Sequence, residues 1–306
     1  MSRLQEAVQQ YIDMRRSLGY KLQRAAVLLP DFVSFLEQKR SSHITIPLAV
    51  EWAQRNPTVQ PAEWAQRLTI VRCFARHWSA TDPRTEIPPW GLMPHRPRRA
   101  RPYLYTDEEI LQLLQAARRL GGLRGPTYHC LFGLLSVTGM RISEVLNLQS
   151  SDVNLAERVL MVRGTKFGKC RLVPIHASTR KVLSDYIQNR DRVFTRDLSY
   201  FLVSKRGNRL DGAEVHRTFY ALSRQTRLRG PTASHGPRLH DFRHRFAIGT
   251  LIHWYRSGQD VERLLPVLST YLGHVHVNDT YWYLTACPEL MGLAVKRLER
   301  RWEGQS

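Results

Sequence analysis

The sequence predicts a mainly α-helical protein with a small β-hairpin or sheet, divided into two domains. Three observations lead to this fold class. Residues 1–79 place apolar side chains at helical spacing without strand-like alternation, and a segment rich in proline and arginine follows them. The β-rich runs are concentrated around one Gly/Lys turn, in "VLMVRGTKFGKCRLVPI", between further helical segments. A chain of 306 residues is long enough for two separate hydrophobic cores.

The first domain, residues 1–81, is predicted to be a small bundle of four short helices. Its apolar residues recur at helical spacing in several pieces, and Pro30, Pro47, Pro57 and Pro61 punctuate the pattern. The positions that carry this periodicity are Leu4, Val8, Tyr11, Ile12, Val27, Leu28, Phe32, Phe35, Leu36, Leu68, Val71, Phe74, Ala75 and Trp78.

Residues 82–102 are predicted to be an extended linker. The segment "DPRTEIPPWGLMPHRPRRARP" carries six prolines and five arginines, a composition that cannot form a helix. It is either a plain tether or a positively charged strap between two domains that face DNA.

The second domain, residues 103–306, begins with a strong helix signal. Thr106 followed by Glu109 makes a capping box, and Tyr105 can pack against Ile110. A nearly all-apolar helix around residues 128–137 should lie in the core and end at Gly139. A β-hairpin follows, and then helices near 178–190, 211–226, 239–255, 261–271 and 279–285, with a short strand possible at "YFLVS" and an amphipathic tail "PELMGLAVKRLERRW".

Composition narrows the class of protein. The formal net charge is +20, and both halves of the chain are basic, as expected for a protein that binds a polyanion. Arginine-rich composition without a binding site is the alternative. The four cysteines form no CxxC pair, so neither a disulfide framework nor a cysteine zinc site is indicated. No apolar run is long enough for a membrane span and the first residues lack a signal-peptide core, so we expect a cytoplasmic, nucleoid-associated protein.

The segment "HDFRHRFAIGTL", residues 240–251, has the densest polar face in the chain. On a helix, His240, Arg243 and His244 lie on one side, whereas Phe242 and Phe246 lie on another. The segment fits a metal site, a solvated basic face or a phosphate-binding site. The zinc interpretation is the weakest, because the two histidines lack the intervening glutamate of HExxH and no third ligand stands out.

Five motifs in order resemble the tyrosine recombinase family, the phage integrases of Xer type. They are "TGMRISEV", "GTKFGKCRLVP", "HDFRH", "LGH" and "TYWYL", which together extend over the second domain. The resemblance implies a mixed α/β catalytic domain and, for residues 1–81, a helical core-binding domain that contacts DNA. It carries the family's catalytic positions onto Arg141, Lys166, His240, Arg243, His274 and Tyr283.

The resemblance also implies a reaction. Tyr283 would attack a DNA phosphodiester and form a 3′-phosphotyrosyl intermediate, while the guanidinium groups of Arg141 and Arg243 hold the phosphate oxygens. Lys166 would give a proton to the departing 5′ oxygen, and His240 and His274 would contact the phosphate or the phenol proton. No metal, ATP or other cofactor is implied. The implied partners are double-stranded DNA and three further copies in a tetrameric synapse, or a related recombinase.

Some assignments have competitors within the sequence. Tyr281 competes with Tyr283 as the nucleophile, but the two point about 200° apart on a helix, and the distance from "LGH" favours Tyr283. Lys169 competes with Lys166 in the hairpin. Glu144 is expected to orient Arg141, and Asp241 to support its neighbours. The other members of the catalytic set also have ordinary structural interpretations, as a turn arginine or a helix-junction histidine.

Three other functions fit parts of the pattern. A type IB topoisomerase-like enzyme would nick and reclose DNA with a similar set of residues, a DNA-binding regulator would use the same scaffold without catalysis, and a metal-dependent nuclease would need a metal.

The span between Arg243 and His274 is longer than is usual in the family, and its extra residues "HWYRSGQDVERLLPVL" should extend a helix or a loop.

Overall fold

The computed structural model describes residues 2–93, 101–163, 170–233 and 235–303. The chain forms two compact units, one of residues 1–100 and one of residues 101–306. No helix in the described ranges is both long and apolar enough to cross a membrane.

The described part of the first unit is helical, as predicted. Its helices are α1 Arg3–Ser17, α2 Ala25–Gln38, α3 Ile46–Gln54 and α4 Pro61–Trp78. They pack around one core in which Leu29, Phe32, Trp52 and Phe74 are fully buried. The prolines at 47 and 61 lie at helix starts, where the missing N–H costs nothing.

Pro30 does not separate two helices, although the sequence pattern suggested that it would. It lies inside α2, beside Leu29, Phe32 and Val33, none of which is exposed. A proline inside a helix costs about 3 kcal/mol. Burying three large apolar side chains contributes about 1.5–3 kcal/mol each, which outweighs that cost.

Residues 82–90 make specific contacts with the preceding part of the first unit. The backbone N–H of Glu86 donates to the Ile44 carbonyl at 2.9 Å. The buried side chain of Arg72 on α4 donates to the carbonyls of Pro88 at 2.7 Å and Pro89 at 2.9 Å. This first part of the predicted linker therefore packs on the helical unit.

The second unit begins with the predicted capping box. The Thr106 hydroxyl accepts from the Glu109 N–H, and the Glu109 carboxylate accepts from the Thr106 N–H. The first elements of this unit are α5 Asp107–Arg118, α6 Arg124–Thr138, α7 Ile142–Leu146, β1 Val153–Asn154, β2 Val159–Val162 and β3 Arg171–Pro174. Helix α5 packs tightly against α6, and the three short antiparallel strands are arranged in the order β1-β2-β3.

The predicted hairpin is confirmed as β2 and β3, with Val162 opposite Arg171. The sequence did not indicate β1, which has only two residues. The segment "YFLVS" forms no strand of its own; it takes part in two isolated bridges, Gln149 with Tyr200 and Val203 with Arg209.

The remaining helices complete the unit. They are α8 Ala177–Asp191, α9 Gly212–Gln225, α10 Asp241–Arg256, α11 Val261–Leu272, α12 Asn278–Ala286 and α13 Pro288–Glu303. The extra residues 253–268 form the end of α10, the turn after it and most of α11. A second apolar cluster joins α10, α11, α12 and α13, and it contains Tyr283 and Leu290.

Candidate active site

Gly139 sets the position of Arg141. It ends α6 with φ +60°, and a Cβ there would lie 2.6 Å from a ring carbon of Phe246, so glycine alone fits. The chain then turns at once into α7, whose N-cap is Arg141. About a third of the Arg141 side chain is exposed.

Arg141 and Arg243 converge on the C-terminal end of α11. Arg141 donates to the Leu272 carbonyl at 3.4 Å and to the Gly273 carbonyl at 3.1 Å. Arg243 donates to the same Leu272 carbonyl at 2.6 Å and to the Gly139 carbonyl at 2.8 Å. Because the carbonyls at a helix C-terminus carry partial negative charge, they hold two cations close together.

Arg243 is the more deeply buried of the two, at 1% exposure. Burial and the nearby positive charge of Arg141 lower the pKa of Arg243 to about 10, and Tyr283 and Glu144 act in the opposite direction. The arginine stays charged at neutral pH, and at this degree of burial its interaction with an anion is strong.

Glu144 is a buried carboxylate between two arginines. Its oxygens accept from the Arg141 backbone N–H at 2.8 Å and from the Arg141 guanidinium at 2.9 Å. They also accept from both terminal nitrogens of Arg171, at 2.9 and 2.7 Å. Burial alone would raise the pKa of Glu144, but these two arginines lower it to about 2.

Tyr283 lies at the centre of an aromatic cluster and is 2% exposed. The His274 ring stacks on it at 6.0 Å between centroids, and the edge of the His244 ring meets it at 5.5 Å. His274 also shares a 2.7 Å hydrogen bond with the Thr280 hydroxyl. Burial, followed by neighbouring positive charges, lowers the pKa of both His244 and His274 to about 4, so both are neutral at physiological pH.

Five of the six residues assigned from the motifs lie in this region. His240 is at the exposed start of α10, with its ring 4.7 Å from that of His244. Lys166, like its competitor Lys169, lies outside the described residues. Tyr281 is half exposed, whereas Tyr283 faces the histidines. The five residues that the structure brings together are Arg141, His240, Arg243, His274 and Tyr283.

Two residues acquire a place in the site that the sequence did not assign. Arg171 is within the quoted motif "GTKFGKCRLVP", and a charged residue at the start of an apolar strand was the available signal. His244 follows Arg243 directly, and its spacing from His240 was the available signal. Neither signal shows a contact with Glu144 or Tyr283, because those partners come from other elements.

Asp241 supports the start of α10. Its buried carboxylate accepts from the backbone N–H of Arg238 and from the Arg238 guanidinium, each at 2.8 Å. This contact fixes the turn from which His240 and Arg243 project. In the described ranges no three His, Cys, Asp or Glu residues are grouped so that they could hold a metal ion.

The chain is similar to known recombinases. Residues 104–289 match the model of the phage integrase family. A putative integrase/recombinase of Sinorhizobium fredii, y4rB, is 57% identical over the full length of both chains. The tyrosine recombinase XerC of Chlamydia trachomatis is 29% identical over 71% of this chain and 65% of its own.

A likeness to solved structures confirms the fold class. The integrase of the transposon Tn1549, solved in complex with transposon right-end DNA, covers 96% of this chain and 98% of its own, with a TM-score of 0.68 and 16% identity. The XerH site-specific recombinase, bound to a palindromic difH substrate, covers 90% of this chain and 78% of its own, with a TM-score of 0.65 and 16% identity.

Proposed function

The chain belongs to the phage integrase family of tyrosine recombinases, enzymes of site-specific recombination, and we propose that it cuts and rejoins DNA through a 3′-phosphotyrosyl intermediate at Tyr283. One observation carries the proposal. Arg141 and Arg243 share the Leu272 carbonyl as an acceptor, Leu272 belongs to the same apolar cluster as the buried Tyr283, and Tyr283 interacts electrostatically with Arg243. Two guanidinium groups beside a phenol suit the trigonal-bipyramidal phosphate of a transesterification.

The reaction balances without an external energy source. The phenol oxygen of Tyr283 attacks the scissile phosphorus, and the bond from phosphorus to the 5′ oxygen breaks. The phenol proton passes to a neutral imidazole or to water, and the departing 5′ oxygen takes a proton from Lys166. A 5′-hydroxyl from a second strand then attacks the phosphotyrosine and releases Tyr283. One phosphodiester is exchanged for another, so neither ATP nor a metal ion is required.

Each side chain has a distinct part in this proposal. Arg141 and Arg243 bind the non-bridging oxygens, and Glu144 keeps Arg141 in place. His274 and His240 hydrogen-bond the phosphate or receive the phenol proton. Tyr283 is 2% exposed, so α12 must shift before the phenol can reach a DNA phosphate.

The proposed partner is double-stranded DNA, with the helical unit of residues 1–81 as the core-binding domain and the basic segment 82–102 as a strap beside the duplex. The net charge of +20 supports both contacts. The enzyme acts as a tetramer that joins two sites of a mobile element. An apolar stripe on the outer side of α13 supports self-association, since Met291, Val295, Leu298 and Trp302 are all at least 45% exposed.

Covalent trapping tests the proposed chemistry. The unchanged protein, Tyr283→Phe and the matched control Tyr281→Phe are incubated with nicked duplexes taken from the DNA that flanks the gene, with and without a metal chelator. We expect a protein–DNA adduct with the unchanged protein and with Tyr281→Phe, unaffected by chelation. Tyr283→Phe should give none, because phenylalanine lacks the attacking oxygen.

Other outcomes identify other functions. Loss of the adduct only in Tyr281→Phe would move the nucleophile by two residues. Tight DNA binding without any adduct would favour a non-catalytic regulator, and supercoil relaxation without recombinant products would favour a topoisomerase-like enzyme.

A further inference from the structure

Arg171 belongs to the strand next to the site and not to the site's helices. It is the first residue of β3, opposite Val162 of β2. Its side chain is only 10% exposed, and both terminal nitrogens donate to Glu144, at 2.9 Å to one oxygen and 2.7 Å to the other. A bidentate pair of this kind fixes the orientation of a carboxylate as well as its charge.

The carboxylate that Arg171 holds is the one that holds Arg141. Glu144 accepts from the Arg141 side chain at 2.9 Å and from its backbone N–H at 2.8 Å. Without Arg171, this 7%-exposed carboxylate would keep one guanidinium partner and would be free to rotate or to take a proton. Arg171 is therefore linked to the Arg141 guanidinium through the Glu144 carboxylate that both arginines bind.

The fit around Arg171 is tight on a second side. Gly273 has φ +67°, and a Cβ built there would lie 2.9 Å from Arg171 Nη1 and 3.6 Å from Arg141 Nη1. The Nε of Arg171 is buried and finds no hydrogen-bond partner among the described residues. The hydrogen bonds that Arg171 does make are those of its two terminal nitrogens to Glu144.

We propose that Arg171 is a positioning residue that aligns Arg141 with the scissile phosphate by fixing the Glu144 carboxylate. The proposal rests on the proposed function, since it takes Arg141 as a phosphate ligand. Arg171 itself does not touch the reacting atoms. Its removal should slow the chemical step and leave DNA binding almost unchanged, because most of the DNA contacts of a basic protein lie elsewhere.

The test compares Arg171→Leu, Arg171→Lys, Glu144→Gln and the double variant Arg171→Leu/Glu144→Gln. Arg180→Leu is the matched control, because it removes an exposed arginine of the same unit, on α8. Single-turnover adduct formation on a nicked duplex gives the rate, and titration of the same duplex gives the affinity. Loss of a residue that orients a ligand typically costs roughly 10- to 100-fold, and we expect that loss of rate in Arg171→Leu with an affinity within about twofold.

Three comparisons separate positioning from general stability. The double variant should be no slower than the slower single variant, because Arg171 acts through Glu144. Arg171→Lys should recover part of the rate, since it keeps the charge but not the fork. The Arg171→Leu variant should also lose rate as the pH falls through the mildly acidic range. Without Arg171, Glu144 takes a proton at a higher pH than it does in the unchanged protein. Additive effects of the two single changes, or an Arg180→Leu defect as large as that of Arg171→Leu, would overturn the proposal.

A readout without DNA chemistry distinguishes this proposal from the proposed function. In protein labelled with ¹³C at glutamate carboxyl groups, the signal that disappears in Glu144→Gln reports the titration of Glu144. It should stay ionised well below the usual glutamate pKa in the unchanged protein and titrate at a clearly higher pH in Arg171→Leu. If the unchanged protein forms no adduct but this shift is found, the proposed chemistry fails and the coupling holds. If the signal does not shift, the inference about Arg171 is wrong, whatever the adduct assay gives.

Discussion

The imidazoles of His244 and His274 both contact the Tyr283 ring, and both have a pKa of about 4. Both imidazoles are neutral at physiological pH, so each has a ring nitrogen able to accept a proton. Among the described residues, the positive charge in this region therefore comes from Arg141, Arg171 and Arg243. In the proposed reaction, this division places cations where the phosphate binds and neutral groups beside the phenol that loses a proton.

Gly273→Ala, compared with Gly258→Ala, tests how closely the arginines are packed. Both glycines have positive φ, +67° and +69°, so alanine brings a similar backbone strain of about 1–2 kcal/mol at either position. A Cβ at 258 meets nothing within 4 Å, whereas a Cβ at 273 comes within 2.9 Å of Arg171 Nη1. We expect similar losses of unfolding free energy, measured by urea denaturation, but a marked loss of adduct formation only in Gly273→Ala.

Equal rates of adduct formation in the two glycine variants would show that the arginines accommodate the added methyl group. The packing at Gly273 would then have no part in the chemistry.

At the residue scale, the sequence could predict candidates but not their contacts. Motif order singled out Arg141, Arg243 and Tyr283, and the structure brings them together. The order of the motifs could not show that the Leu272 carbonyl accepts from both arginines, because backbone acceptors leave no signature in a sequence. The link from Arg171 to Glu144 was hidden for a similar reason, since it joins a strand to a helix that is distant along the chain.

Helices were the most predictable elements, because apolar periodicity and caps act locally. Thr106 and Gly139 mark helix ends in the sequence and in the structure. Predictions failed where packing outweighed local preference, as at Pro30, or where an element was too short for a pattern, as with β1. The extra residues 253–268 were predicted to extend a helix or a loop, and they form the end of α10, a turn and most of α11. Arg256 at the end of α10 pairs with Glu289 of α13 at 2.6 Å.

Leu290→Ala tests whether α13 is held by the cluster that contains Tyr283. Leu290 is fully buried in that cluster, whereas Leu298, on the same helix, is 45% exposed. Truncating a buried leucine costs about 2–5 kcal/mol, and an exposed one usually within about 0.5 kcal/mol. We expect Leu290→Ala to expose α13 to limited proteolysis after residue 287, with Leu298→Ala as resistant as the unchanged protein. Equal resistance of the two variants would contradict a cluster that depends on α13.

At the scale of the whole molecule, charge was the most informative property of the sequence. A net charge of +20 on a chain with two basic halves indicates a polyanionic partner, and membership of a recombinase family makes that partner DNA. The recognised sequence cannot be predicted in the same way. Base contacts depend on which side chains enter the grooves, whereas phosphate contacts depend mainly on the number of cations at the surface.

The salt dependence of DNA binding tests how much of this charge faces the duplex. Neutralising about six to ten phosphates releases enough counterions to weaken binding by roughly 10³- to 10⁵-fold between about 50 and 200 mM salt. We expect a dependence of this size in a fluorescence-anisotropy titration. Tyr283→Phe is the matched control: it keeps every charge, so its slope of log Kd against log salt should equal that of the unchanged protein. A slope that corresponds to only one or two phosphates would mean that most of the basic residues point away from DNA, and the excess of arginine would then be a property of composition and not of the binding surface.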